Sequence, residues 1–468
     1  YDHVGGGFHR YSTDAQWLVP HFEKMLYDNA QLAVVYLEAW QHTGDPAYQR
    51  VAREILDYVA REMTAPDGGF YSATDADSPT PSGHDEEGWF FTWTPDELEQ
   101  LLGADDAAVV SAAYGVTGRG NFEGRNILHR AKTDREVGAQ LRIPAKRVAE
   151  VLTSARSTLY EARKLRPPPI RDEKIIAAWN GMMITAFAQA GWMLDEPRYS
   201  AVASRAAGFV LDRMRSDDGA LVRTYRDGKK GSSSFLDDYA SMVGACLDLY
   251  EATGGAVWLQ SAVKLQSDQD ARYLDTQSGG YYLTPSDGET LLVREKPAYD
   301  RAVPSGNSLA ARNLLRLHDF TGDAKWRSRA ERLFASLGLR VTRSPNGYPL
   351  LLVALDHYYD TPLEVAIVAP VGQDEAAPLA ARLRETFVPN KAFAVLSDAE
   401  AAEQQAQVPW LEGKRAMGGK ATAYVCERGR CDLPTPKPSV FQKQIGRRKP
   451  YPSFAKEPPP RLPFERVK

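Results

Sequence analysis

Cysteine is scarce in this chain, at three in 468 residues. Three thiols make no disulfide framework, and a chain of this length can bury a large core without one. It has room for one big domain or two to three ordinary ones. Long apolar runs are also missing. None approaches the roughly 20 residues of a membrane span. Nor does one sign of charge dominate, since 57 basic residues stand against 61 acidic ones for a net charge of −4. That balance gives neither nucleic acid nor a membrane surface a reason to bind. An initiating Met is absent: the chain opens on Tyr1, in the middle of a motif. The expectation is a fragment or processed product, with a cytoplasmic setting only by default.

Aromatic residues, by contrast, are plentiful, with nine Trp and 22 Tyr. Rings of this kind line carbohydrate sites, where sugar faces stack on them. They also fill the cores of large helical folds.

Polar chemistry is densest at the start. Residues 1–31 read YDHVGGGFHRYSTDAQWLVPHFEKMLYDNAQ. They hold His9 and His21 with Asp14, Trp17, Glu23, Lys24, Asp28 and Asn29. A helix is expected from about Pro20 or Phe22, carrying Leu32, Val35, Tyr36, Leu37 and Trp40 on a wide apolar face. The polar cluster would then sit at the N-terminal end of a buried helix.

The plan of that helix recurs. Segments beginning at Leu26, Ala178, Leu236 and Pro304 each read as a buried helix, a polar turn and a second helix. Tyr48, Tyr199, Trp258 and Trp326 fall at matching places. A weaker hairpin fits between Thr94 and Lys164. Glycine–aromatic segments at 67–71, 218–222 and 278–282 read as short strands. Alternating inner helix, outer helix and β-loop is the plan of an all-α dominated (α/α)6 toroid over residues 1–350, one hairpin short of closure. From 351 to 433 the pattern becomes a small α/β element, with strands at 363–370 and 391–396 around a helix at 375–387. Residues 434–468 are basic and proline-rich and read as a disordered tail.

In such a toroid, side chains at the N-terminal ends of inner helices converge on one mouth. The acid–base candidates are His9, His21, Asp172, Asp237 and Asp238. Asp14, Trp17, Glu23, Asp28, Asn29, Trp89, Arg171, Trp179, Asn180 and Asn307 would bind substrate. Asp28, Asp237 and Asp238 read equally well as helix caps, and residues 171–174 as an ion-pair network. Asp75 and Asp77 lack the remaining spacing of a Ca²⁺ loop, so no metal and no cofactor is expected. Cys426 and Cys431 are too widely spaced for a redox CxxC pair.

The opening 32 residues resemble the family of spermatogenesis-associated protein 20 and the YyaL-type thioredoxin-domain-containing proteins. The resemblance continues in EEGWFFTWT at 86–94, GNFEGRNIL at 120–128, RDEKII and WNG within 171–181, LDDYA at 236–240, PSGNS at 304–308 and AYVC…C at 423–431. It implies an N-terminal thioredoxin-like domain, which this chain lacks, followed by a six-hairpin glycosidase-like toroid similar to N-acylglucosamine 2-epimerases. A sugar or sugar-derivative ligand is therefore expected, handled by epimerase-, isomerase- or glycosidase-like chemistry. The alternative is a non-catalytic module partnering the thioredoxin-like domain.

Overall fold

A computed structural model describes residues 1–427 and 429–446. Its fold class is helix-dominated, built from α/α hairpins with short β-loops and a small C-terminal α/β element. The first repeat forms α1 (Leu26–Thr43) and α2 (Pro46–Glu62). Two compact units divide the chain: residues 1–29, 50–65 and 70–174, and residues 30–49, 66–69 and 175 onward.

In the first unit, strands β1 (Tyr11–Ser12) and β2 (Pro20–His21) pair as a hairpin. Strand β3 (Lys24–Met25) joins β4 (Ala73–Thr74). A second hairpin follows, β5 (Asp77–Pro79) on β6 (Asp85–Glu87). The expected single hairpin between Thr94 and Lys164 is instead four helices: α3 (Pro95–Leu102), α4 (Ala104–Tyr114), α5 (Asp134–Leu141) and α6 (Ala145–Arg163). Local signals cut it. Thr94 and Thr133 each open a capping box, with Glu97 and Glu136. Gly103 and Gly115 take positive φ and stop the helices before them. Trp93, Leu98, Val110, Val148 and Leu152 form their common core. Strand β7 (Arg171–Asp172) completes the sheet in the order β3-β4-β7.

One buried ion cluster ties this unit's start to its last long helix. Asp2 takes both Arg163 guanidinium nitrogens at 2.9 Å and Lys24 Nζ at 2.7 Å. The three side chains are 4%, 2% and 1% exposed. Gly5 is required beside them, because a Cβ there would lie 2.0 Å from Arg163 Nη2. Burial pushes the Asp2 carboxyl up, but Arg163 and Lys24 outweigh it and hold it well below the usual range.

In the second unit, β8 (Ile175–Ile176) leads into α7 (Ala177–Met193), and α8 (Pro197–Arg213) returns. Strands β9 (Thr224–Arg226) and β10 (Lys229–Lys230) pair with each other, and β9 also pairs with β8. The later repeats form α9 (Leu236–Thr253) with α10 (Ala256–Tyr273), and α11 (Gly306–Thr321) with α12 (Ala324–Arg343), before α13 (Pro349–Tyr359). Helices α7, α9, α11 and α13 pack in succession, and each of the first three carries its outer helix. Gly181 lets α7 approach α9, since a Cβ there would meet Ser241 backbone carbon at 2.7 Å. Tyr48, Tyr199, Trp258 and Trp326 are each the third residue of an outer helix, although Tyr48 is exposed where Tyr199 and Trp326 are buried. The glycine–aromatic segments form only single bridges, Thr64–Phe70, Arg215–Leu221 and Leu274–Tyr281. Each pairs one residue across a tight turn, too little backbone for a strand.

Strands β11 (Leu363–Ala369) and β12 (Lys391–Ser397) run parallel around α14 (Ala377–Glu385). After α15 (Asp398–Gln404), β13 (Thr422–Glu427) and β14 (Arg430–Cys431) extend the sheet to the order β12-β11-β13-β14. Residues expected to start a disordered tail form α16 (Pro438–Ile445), because Phe441 and Ile445 give it a buried apolar face. Residues 447–468 of that expected tail lie outside the described residues. Among the described residues no helix is long and apolar enough to cross a membrane.

Asp2→Ala should cost about 3–5 kcal/mol in denaturant unfolding, because it strands two buried cations. A depressed carboxyl contributes stability above its unfolded pKa, near 3.9, and loses it as pH falls through the folded value. The variant's deficit should therefore be full at pH 7 and shrink in acid.

Candidate functional site

In the first unit a short loop joins β1 to β2. Asp14 shapes it, accepting backbone N–H bonds from Gln16 at 2.6 Å and Val19 at 2.5 Å. Trp17 stands on it, 84% exposed and at φ +60°. The hairpin presents His21 between two carboxylates: Nδ1 lies 2.8 Å from Glu87 and Nε2 3.1 Å from Glu23. The Tyr11 ring lies 5.1 Å from the imidazole. Glu23 accepts from Arg10 at 2.9 Å, and Arg10 also reaches the Tyr27 hydroxyl.

Asp28 follows, in the first turn of α1. Its Oδ2 is buried and has no hydrogen-bond partner. Burial pushes its carboxyl up to about 7, with Arg10 opposing. Polar contacts thus run from Glu87 through His21 and Glu23 to Arg10, whose charge acts on Asp28. Glu87 and Arg10 stood outside the candidates, and only the hairpin pairing of β5 with β6 could have pointed to Glu87.

His9 differs from His21. Its Nδ1 is 2.9 Å from the Phe22 carbonyl, with Phe22 and Phe91 edge-on at 5.2 and 4.7 Å. Burial, then the Lys24 charge, drive its pKa well below the ordinary value, so the ring is neutral near pH 7. Asp172 is tied to Lys174 at 3.1 Å. Burial raises its carboxyl, but that lysine and the bonds around it bring it below the usual value. Arg171 donates to the Glu62 carbonyl at 2.9 Å, pairs with Glu173 at 2.6 Å, and lies over Tyr71. The Trp89 ring is flanked by Arg166 and Arg125.

Three of the candidate asparagines hold backbone. Asn29 accepts from Phe8 N–H at 2.8 Å and donates to the Phe8 and Met25 carbonyls. In the second unit Asn307 treats Tyr281 the same way, at 2.8 and 2.9 Å, and also donates to Pro297. Asn180, beside the half-buried Trp179, donates to Ile176 at 3.0 Å.

Asp238 is fully buried. It accepts from the Ala178 and Phe235 N–H groups at 2.9 and 2.8 Å. Arg223 bridges it to Asp237, at 3.1 and 3.2 Å. Burial and the Asp237 charge push Asp238 upward against that arginine.

The second unit also holds a cavity of about 350 Å³, at the C-terminal ends of α7, α9 and α13. That is the far end from Asp238. Asp248, Glu251 and Arg316 line it as a buried ion triad, with Arg316 at 2.9 Å from Asp248 and 3.1 Å from Glu251. Among the described residues no group of three or more His, Cys, Asp or Glu could hold a metal ion.

No family model matches the chain. Human spermatogenesis-associated protein 20 is 38% identical over 474 residues, covering 95% of this chain, and the rat protein is 36% identical over the same share. Over that share the chain is homologous to spermatogenesis-associated protein 20. It spans 60% of the length of those relatives. Among solved structures, a D-mannose isomerase aligns at 15% identity over 71% of this chain and 81% of its own, with a TM-score of 0.36. The cellobiose 2-epimerase of Bacillus thermoamylovorans aligns at 11% over 72% and 81%, with a TM-score of 0.33. Likenesses this low carry no argument about this chain's chemistry.

An acid whose folded pKa is raised contributes stability below its unfolded pKa and loses it as pH rises through the folded value. Asp28→Asn should therefore raise the melting temperature at pH 8 and leave it nearly unchanged at pH 4. Thermal melts at the two pH values check this.

Proposed function

We propose that this chain is the carbohydrate-handling part of its family: an α/α toroid that moves protons on a polyhydroxylated substrate in an epimerase-, isomerase- or glycosidase-like reaction. Asp28 carries the reading. A carboxyl with a buried, unpartnered oxygen, poised near 7, is matched to general acid–base work at neutral pH. His21, held between Glu23 and Glu87, supplies a second proton carrier in the same network. The exposed rings of Trp17 and Tyr11 offer stacking faces to a sugar.

A second reading has its own support. His9, Asp14, Asn29, Asn307 and Asp172 spend polar atoms on their own chain. A non-catalytic module presenting a client to a thioredoxin-like domain would do the same.

Thermal-shift measurements with sugars, amino sugars and sugar phosphates separate the two. A ligand at about 100 times its dissociation constant should add about 2.7 kcal/mol. The enzyme reading expects a hit whose turnover falls at least about 100-fold in Asp28→Asn and less in a distant surface variant. No hit with well-folded protein moves the choice to the client-presenting module.

A further inference from the structure

The small sheet at the end of the second unit holds a cysteine pair that the proposed function does not use. In the β13–β14 ladder Cys426 stands directly opposite Cys431, and the two are joined by a disulfide. Their surroundings differ. Cys426 is 1% exposed, whereas Cys431 faces solvent. A bridge between residues five apart closes a short loop, the kind that removes least entropy from the unfolded chain.

The unusual feature is the neighbour. Lys414 places Nζ 3.1 Å from Cys426 Sγ. Among the described residues the ammonium of this half-buried lysine makes no ion pair within 4 Å, and its hydrogen bond goes to a disulfide sulfur. The Trp410 and Tyr424 rings lie 5.1 and 5.9 Å from the ammonium. The carboxylate that feels it most is Glu364, on β11 in register with Cys426. Burial pushes Lys414 down to about 8, with Glu364 opposing. Burial pushes Glu364 up, against Lys414, with Asp319 adding to the rise and His318 opposing it.

A cation beside a neutral disulfide sulfur is poorly satisfied. Breaking the bond puts a full negative charge where that cation already sits, which stabilises the reduced form and the leaving thiolate. We propose that Cys426 and Cys431 form a thiol–disulfide exchange site, in which an external dithiol attacks Cys431 and Cys426 leaves as a thiolate beside the Lys414 ammonium. The incoming thiolate bonds to Cys431 Sγ, and the electron pair of the broken S–S bond passes to Cys426 Sγ. The dithiol's second thiolate then attacks the mixed disulfide on its own sulfur and expels Cys431. Two electrons and two protons reach this chain, and the dithiol departs as a disulfide.

The test uses the whole 468-residue chain and dithiothreitol as the dithiol. In the reduced protein, thiolate absorbance against pH should show one cysteine ionising about one unit or more below the ordinary value of about 8.5. Lys414→Met should move it up by about one unit or more, and Lys414→Arg should restore it. With glutathione disulfide, Cys426→Ser should form a mixed disulfide at Cys431, and Cys431→Ser should form none. Three results overturn the proposal: a bridge that resists excess dithiothreitol, no cysteine of the reduced wild type ionising below 8.5, or mixed disulfides forming equally in both single-cysteine variants. The wild-type titration decides even if the Lys414 variants fail to fold.

Discussion

Three buried charges set the terms for the first unit. Asp2, Lys24 and Arg163 are tolerable there only together, since each alone would pay a large desolvation cost. The bidentate Arg163–Asp2 pair closes the unit around a contact 161 residues apart in sequence. Lys24 sends a further bond to the Gly6 carbonyl at 2.7 Å, which fixes the glycine run against β3. His9 is neutral partly because it borders Lys24. The seat of the glycine run against β3 and the neutral state of His9 both depend on this cluster.

How much was legible varied with the range of the interaction involved. Inner helices rich in small and apolar residues, and the aromatic at the third position of each outer helix, are local patterns, and they survive into the structure. So do β11 and β12, whose apolar runs match the expected strands closely. The region 94–164 was misread because its helix stops are single residues, Gly103 and Gly115, inside an otherwise helical composition. The candidate site was harder. His9 and His21 carry similar neighbours in sequence, yet one packs edge-on against Phe22 and Phe91 while the other stands between carboxylates. That difference depends on β6 arriving with Glu87, 66 residues later, and no local signal encodes it.

Polar residues at the starts of inner helices divide into two kinds of work. Asp28 keeps an oxygen uncommitted in a buried place, which costs stability and so needs a reason. Asn29 and Asn307, also in first turns, commit their amides fully. In the second unit, Asp238 is of the committed kind: it closes on the Phe235 and Ala178 amides while sharing Arg223 with Asp237.

The asparagine clamps have a consequence for how this scaffold can vary. Asn29 and Asn307 grip their loops by main-chain N–H and C=O groups alone, and those groups are the same in every non-proline residue. Such a grip is blind to the side chains it holds. The clamps therefore hold the backbone path beside each helix start without reading the side chains at positions 8 and 281.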